Sequence, residues 1–138
     1  TFSMQRTIWN VPLSGNSRRV VSQAPRADLT SATLNYVNLG FSNLSNADLM
    51  RSSLVSSYLG FANLVDANLT NTNLTGAILT GADLSGANLT GANLSKAVFN
   101  FSKNLTKEQL ESAYLCDTEL PAFISLNPDR DCEILKQR

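Results

Sequence analysis

The stretch AILTGADLSGANLTGANL, residues 77–94, decides the fold of this 138-residue chain. Leu79, Leu84, Leu89 and Leu94 stand five apart, each two residues after an alanine, and glycines recur at the same interval at Gly81, Gly86 and Gly91. Outward from this stretch the beat runs without a slip from Leu29 to Leu94, fourteen leucines in all, with Phe99 in the fifteenth place. An α-helix returns its apolar face about every 3.6 residues and a strand about every 2. A strict five therefore requires another winding, a repeat solenoid in which each unit buries its face only by stacking on its neighbours. Leucine-rich repeats are excluded, because their period is roughly 20–29 residues with uneven leucine spacing.

Around each central leucine the unit reads small–polar–Leu–x–x. The small position is alanine in ten of fifteen units and never larger than Val37. The position before the centre is most often Asn or Asp, as at Asp28, Asn38, Asp48, Asn63, Asn88 and Asn93. One large and one tiny buried residue in five suit a narrow tube lined by leucine, with alanine at the tight places. The pattern resembles the pentapeptide-repeat family, whose signature A-(D/N)-L-x-x is met by Ala82-Asp83-Leu84, Ala87-Asn88-Leu89 and Ala92-Asn93-Leu94. The resemblance covers residues 27–101 and implies an all-β solenoid, a right-handed quadrilateral β-helix with four pentapeptides per coil. Residues twenty apart then lie above one another at about 4.8 Å, and fifteen units make a rod of roughly 18 Å.

Gly76, Gly81, Gly86 and Gly91 predict type II corners from about Thr75 to Gly91, because the third residue of that turn has φ > 0. Tyr36, Phe41, Arg51 and Phe61 occupy the same position earlier and predict other corner geometry before Gly60. Both ends leave the rhythm, as the ends of a solenoid must if they are to cover exposed leucines and unpaired backbone. Residues 1–26 form an N-terminal cap segment, in which Ile8–Leu13 is expected to pair on the first coil or cover its open end. Residues 102–138 form a C-terminal α-helical cap of two short helices. Thr106-Lys107-Glu108-Gln109 reads as a capping box opening a helix through about Leu115. Asn127-Pro128 predicts a second start, running to about Lys136.

Eleven basic and eleven acidic residues balance, so no whole-chain field draws the protein to nucleic acid or to an anionic membrane. No apolar run reaches the roughly 18 residues of a membrane span. Histidine is absent, which removes the commonest metal ligand and the usual general base near neutral pH. The coil acids Asp28, Asp48, Asp66 and Asp83 are isolated, and the recurrent glycines are corners rather than a phosphate loop. The chain is thus expected to be no enzyme, with no cofactor, metal or small-molecule substrate. Asn-x-Ser/Thr matches at Asn43, Asn68, Asn73, Asn88, Asn93 and Asn104 arise from the repeat itself. Cys116 and Cys132, the only cysteines, both fall in the helical tail. A bridge across them would stabilise by about 3 kcal/mol on the loop-entropy model, and it implies an oxidising compartment; two reduced thiols or a reversible redox pair are the alternatives. With Thr1 opening the chain, an exported protein is expected, in a thylakoid lumen or periplasm, as in the small helix-capped cyanobacterial and thylakoid members that this chain resembles.

Folding the sequence at twenty exposes one irregular face. Tyr58, Ile78 and Val98 take the normally polar place before the centre and share a column, while Phe41, Phe61 and Phe101 line the adjoining corner, with Gly81 the gap. Apolar residues gathered on one face suggest contact, either with the chain's own N-terminal segment or C-terminal tail, or with a protein partner of unknown identity or a second copy at a dimer seam, chance being the remaining alternative. The reading is a structural or interaction module. Its alternative is a mimic of duplex DNA acting on gyrase, as the family resemblance allows; that role needs a strongly acidic rod, and residues 27–101 hold four acids against two bases.

Overall fold

A computed structural model describes residues 23–138. The expected strand Ile8–Leu13, and the N-terminal cap segment up to residue 22, lie outside these residues. Single parallel bridges link Asp28 to Asp48, Thr33 to Ser53, Asn38 to Tyr58 and Asn43 to Asn63, and the series repeats every twenty residues up to Asp83 and Lys103. Each coil therefore has four five-residue sides. Among the described residues the first pairing is that of Gln23 with Asn43.

One unit shows why the winding is stable. Asp48 N donates to Ala27 O of the coil below at 2.8 Å, and Leu49 N donates to Asn68 O of the coil above at 2.8 Å. Arg51 N donates upward to Thr70 O at 3.0 Å, and Ser52 N closes the corner on Leu49 O at 3.0 Å. The remaining amide, Met50 N, is taken by the Asp48 side chain at 3.0 Å. All five N–H groups thus have partners, which buried and half-buried backbone requires. The Asn or Asp before each leucine earns its place by this last bond, repeated at Asp28, Asn38, Asn43, Asn63, Asn68, Asn73, Asp83, Asn88 and Asn93. At Asp28 the Thr30 amide also holds the carboxyl below its ordinary value.

Inside the tube Leu29 to Leu94 and Phe99 are buried, with Ala47, Ala67, Ala77 and Ala97 packed between them. Burial of each leucine contributes about 1.5–3 kcal/mol. In the alanine place Ser42, Ser52 and Ser57 donate to Leu39 O, Leu49 O and Leu54 O of their own corners at 2.6–2.7 Å. Thr72 donates instead to Leu49 O of the coil below at 2.7 Å, and the buried Ser102 hydroxyl has no partner among the described residues.

The corners correct the sequence expectation. All sixteen corner positions from Arg26 to Phe101 have φ between +53° and +70°, twelve of them without glycine. The third turn residue alone is left-handed, and the N–H of the fourth returns to the first carbonyl, as at Leu59 and Ala62 (3.1 Å). The corners before Gly60 are therefore type II as well. The reason is tertiary: two of the five amides in each unit must point up and one down to meet neighbouring coils. That demand overrides a residue's own resistance to the left-handed region, a cost of about 1–2 kcal/mol per corner. At the first corner Pro25 sits second in the turn, where its fixed φ fits.

At the C-terminal end the coil is interrupted by α1, Lys107–Glu111. Its capping box is formed as expected, with Gln109 N donating to Thr106 Oγ1 at 3.2 Å and Thr106 N donating to Gln109 Oε1 at 2.8 Å. The Gln109 Nε2 then reaches down to Leu84 O and Ala87 O at 2.8 and 2.9 Å, covering two carbonyls of the coil beneath. The helix ends at Glu111 rather than Leu115, because the chain rejoins the ladder. Tyr114 pairs with Asn93 and Glu119 with Val98, now 21 residues apart. The second helix, α2, is Cys132–Leu135 and starts later than Asn127-Pro128 suggests. Residues 127–131 are spent in turns instead, with Asp129 N on Asn127 Oδ1 and Asp131 N on Leu115 O.

Candidate interaction face

The column of Asn38, Tyr58, Ile78 and Val98 is continuous, each residue bridged to the next. Tyr58 lies flat across two glycines: a Cβ on Gly60 would fall 2.3 Å from its Oη, and one on Gly40 2.5 Å from its Cε1. Tyr58 and Val98 are half-buried, while Ile78 is 40 % exposed. On the adjoining corner Phe41 and Phe61 stack with ring centroids 5.1 Å apart and planes 13° from parallel. The Phe61 ring leans over Gly81, where a Cβ would meet its Cε1 at 2.5 Å. Phe61 is 52 % exposed and Phe101 83 %. The structure therefore brings all six residues onto one face and its corner.

Tyr36, 76 % exposed, stands at the other corner of this face. Reading residues before the leucines alone misses it; the signal lies in the column Tyr36, Ser56, Gly76, Lys96, where a single aromatic is inconspicuous.

Two observations separate this face from the other three. Tyr58, Ile78 and Val98 have no side-chain oxygen for the amides of Gly60, Thr80 and Asn100, so the column gives up a bond made almost everywhere else on the rod, at about 1 kcal/mol each. Ile78 and Phe101 are exposed beneath the point where the C-terminal tail rejoins the ladder. Glu119 pairs above Val98 and accepts from Asn100 Nδ2 at 3.0 Å, so at this residue the tail extends the column. Cover by residues 1–22 lies outside the described residues.

Elsewhere the surface is polar and internally engaged. Asp28 and Asp48 do stack, each accepting the amide two residues on, and Asn68 Nδ2 donates to Asp48 Oδ1 at 3.2 Å. Cys116 and Cys132 are joined by a disulfide that ties the rejoined coil to α2. Asp117 lies beside the two sulfurs, and these three are the only potential metal-ligand cluster among the described residues. With both sulfurs covalently paired, they form no thiolate donor set. Arg130 reinforces the cap, donating through Nη2 to Leu110 O and Ala113 O, while Leu115 N donates to Asp131 Oδ2 at 3.0 Å. Among the described residues no helix is long and apolar enough to cross a membrane.

The family described as pentapeptide repeats matches the chain in eight copies, over residues 27–60 and 62–100. No curated protein matches significantly. Among solved structures, a pentapeptide repeat protein from the cyanobacterium Cyanothece is 37 % identical with a TM-score of 0.57, over 73 % of this chain and 64 % of its own. This chain thus spans less than two thirds of that relative. A pentapeptide repeat protein of the Arabidopsis thaliana thylakoid lumen is 24 % identical, with a TM-score of 0.47 over 72 % of this chain and 74 % of its own. A pentapeptide repeat protein from the cyanobacterium Nostoc, described as involved in heterocyst differentiation regulation, is 33 % identical, with a TM-score of 0.35 over 69 % and 47 %.

Proposed function

The chain belongs to the pentapeptide-repeat family, and on that premise we propose that it is a non-enzymatic interaction module, presenting one face of a rigid rod to a protein partner. The rod in this reading is a right-handed quadrilateral β-helix closed by a helical cap, and the face is that of Tyr58, Ile78 and Val98 with Phe41, Phe61 and Phe101. The observation that carries the proposal is the exchange made in that column. Three successive coils give up the side-chain bond to the corner amide and put apolar groups in its place, two of them on a surface where Ile78 and Phe61 stay exposed. A stability-driven column would keep asparagine, as its neighbours do. Gyrase inhibition by imitation of DNA has less support, since Asp28, Asp48, Asp66 and Asp83 against Arg51 and Lys96 leave only −2 over residues 27–101.

The test is capture from native extract with the wild type and with Ile78→Asp plus Val98→Asp. The double variant keeps its circular dichroism and loses a specific partner. Unchanged recovery with an intact fold removes this face from consideration. Export to a thylakoid lumen or periplasm belongs to the same proposal and is supported by the Cys116–Cys132 bridge. Alkylation of native protein after acid quenching then finds no free thiol; two free thiols overturn the compartment.

A further inference from the structure

Resting on the reading of this face as the interaction surface, we propose that its partner is a second copy of this chain. The two rods lie face to face and antiparallel, about a two-fold axis that runs along the strands midway between Tyr58 and Ile78. Area is the first argument. Tyr36, Phe41, Phe61 and Phe101 are 76 %, 53 %, 52 % and 83 % exposed. At about 200 Å² per aromatic side chain they leave roughly 500 Å² of apolar surface bare on one side of the rod. Two such faces bury about 1,000 Å² before Ile78 is counted, which reaches the size of a specific interface at its weak end. The dimer therefore dissociates in the micromolar range.

Charge and register supply the rest. Of the residues pointing outward from the face and its two corners in the four coils, only Lys96 is charged, and among the described residues it joins no ion pair. Two such faces meet without opposing like charges. The antiparallel two-fold sets Tyr36 against Lys96 of the second copy, so the one charge lies over an aromatic ring. On the column Tyr58 meets Ile78 of the second copy. On the phenylalanine corner Phe41 meets Phe101 of the second copy, and the two Phe61 rings, each leaning toward the axis over its own Gly81, meet across it. Every pair occurs twice, as an isologous contact requires. Parallel rods would set Phe61 against Ser56 and Gly81 against Gly76, opposing small corners where close packing needs contact.

The test is sedimentation velocity of the full oxidised chain across the micromolar range. The wild type is expected to pass from monomer to dimer with concentration. Phe61→Ser, a residue that the corner at Ser56 already accepts, raises the dissociation constant at least about tenfold. Should that variant lose the circular dichroism of the coil, Phe101→Ser at the most exposed ring is read in its place. Lys96→Glu and Tyr36→Lys each weaken the dimer, and the two together restore it, because opposite charges then meet between copies. Within one chain those positions lie three coils, about 14 Å, apart, so the rescue cannot arise in a monomer. A wild type that stays monomeric throughout overturns the proposal, and so does a dimer indifferent to Phe61→Ser. A dimer weakened by Phe61→Ser but not rescued by the paired charges overturns the antiparallel pairing. A monomeric wild type that captures a different protein, lost in Ile78→Asp plus Val98→Asp, overturns the second copy and leaves the face standing. Dimer and capture both kept in that double variant overturn the face as well.

Discussion

Replacing Ser56 by glycine tests whether the coil imposes its corners on whatever residue occupies them. Ser56 is exposed and has φ +53°, and the corner above it is already Gly76. Holding an L-residue in the left-handed region costs about 1–2 kcal/mol. Glycine removes that cost but adds about 0.5–1 kcal/mol of chain entropy to the unfolded state. The difference leaves a stabilisation of about 0.5–1 kcal/mol for Ser56→Gly, which for a chain of this size raises Tm by about 2–4 °C. Asn46, at φ +57°, supplies the control. Asparagine tolerates this region on its own, so Asn46→Gly gains little. Gly76→Ala should run the other way and lose about 1 kcal/mol, because its Cβ meets Ser56 Oγ at a tolerable 3.3 Å and only the backbone strain remains. Urea midpoints and thermal melts at fixed protein concentration read all three. A destabilised Ser56→Gly, or equal effects at Ser56 and Asn46, would refute the claim that the corners are strained by the winding.

Gln109→Ala leaves Leu84 O and Ala87 O without their donor, at about 1–3 kcal/mol for each carbonyl that water cannot reach. Hydrogen exchange then rises in residues 104–119 while the coil around Leu59 stays protected; unchanged exchange shows that the glutamine is dispensable. Replacing Cys116 and Cys132 together by serine costs about 3 kcal/mol on the loop-entropy model and loosens residues 127–138 selectively. Exchange that accelerates equally along the whole rod contradicts the assignment of the bridge to the cap alone. In a supercoiling assay the protein is expected to leave DNA gyrase uninhibited at micromolar concentration, since its rod lacks the charge of a duplex; potent inhibition reverses that ranking.

The leucine beat made the coil legible because five-residue spacing, multiplied by four sides, leaves a single consistent stacking. The same arithmetic placed Tyr58 under Ile78 and Phe41 under Phe61 before any coordinate. What stayed hidden depended on contacts distant in sequence. Local preference puts glycine at left-handed corners, yet Tyr36, Phe41 and Arg51 adopt φ +59° to +62° because their amides are held by Val55 O, Gly60 O and Thr70 O of the next coil. Thr106 announced the start of α1 through a four-residue signal, whereas its end was set by Asn93 pairing with Tyr114. Asn127-Pro128 carried a local helix signal that lost to a turn held by Leu115. Gln109 offered no local sign of its second role, since its acceptors lie 22 and 25 residues back. The candidate face sits between these cases. Its columns follow from register alone, but its meaning comes from the amide accounting: asparagine before a leucine is structural on this rod, so its loss at Tyr58, Ile78 and Val98 requires a compensating contact. The stack of Tyr58 on Gly40 and Gly60 supplies that contact within the chain. Ile78, on the same column, stays 40 % exposed, and it is there that a partner's side chain has the most to gain.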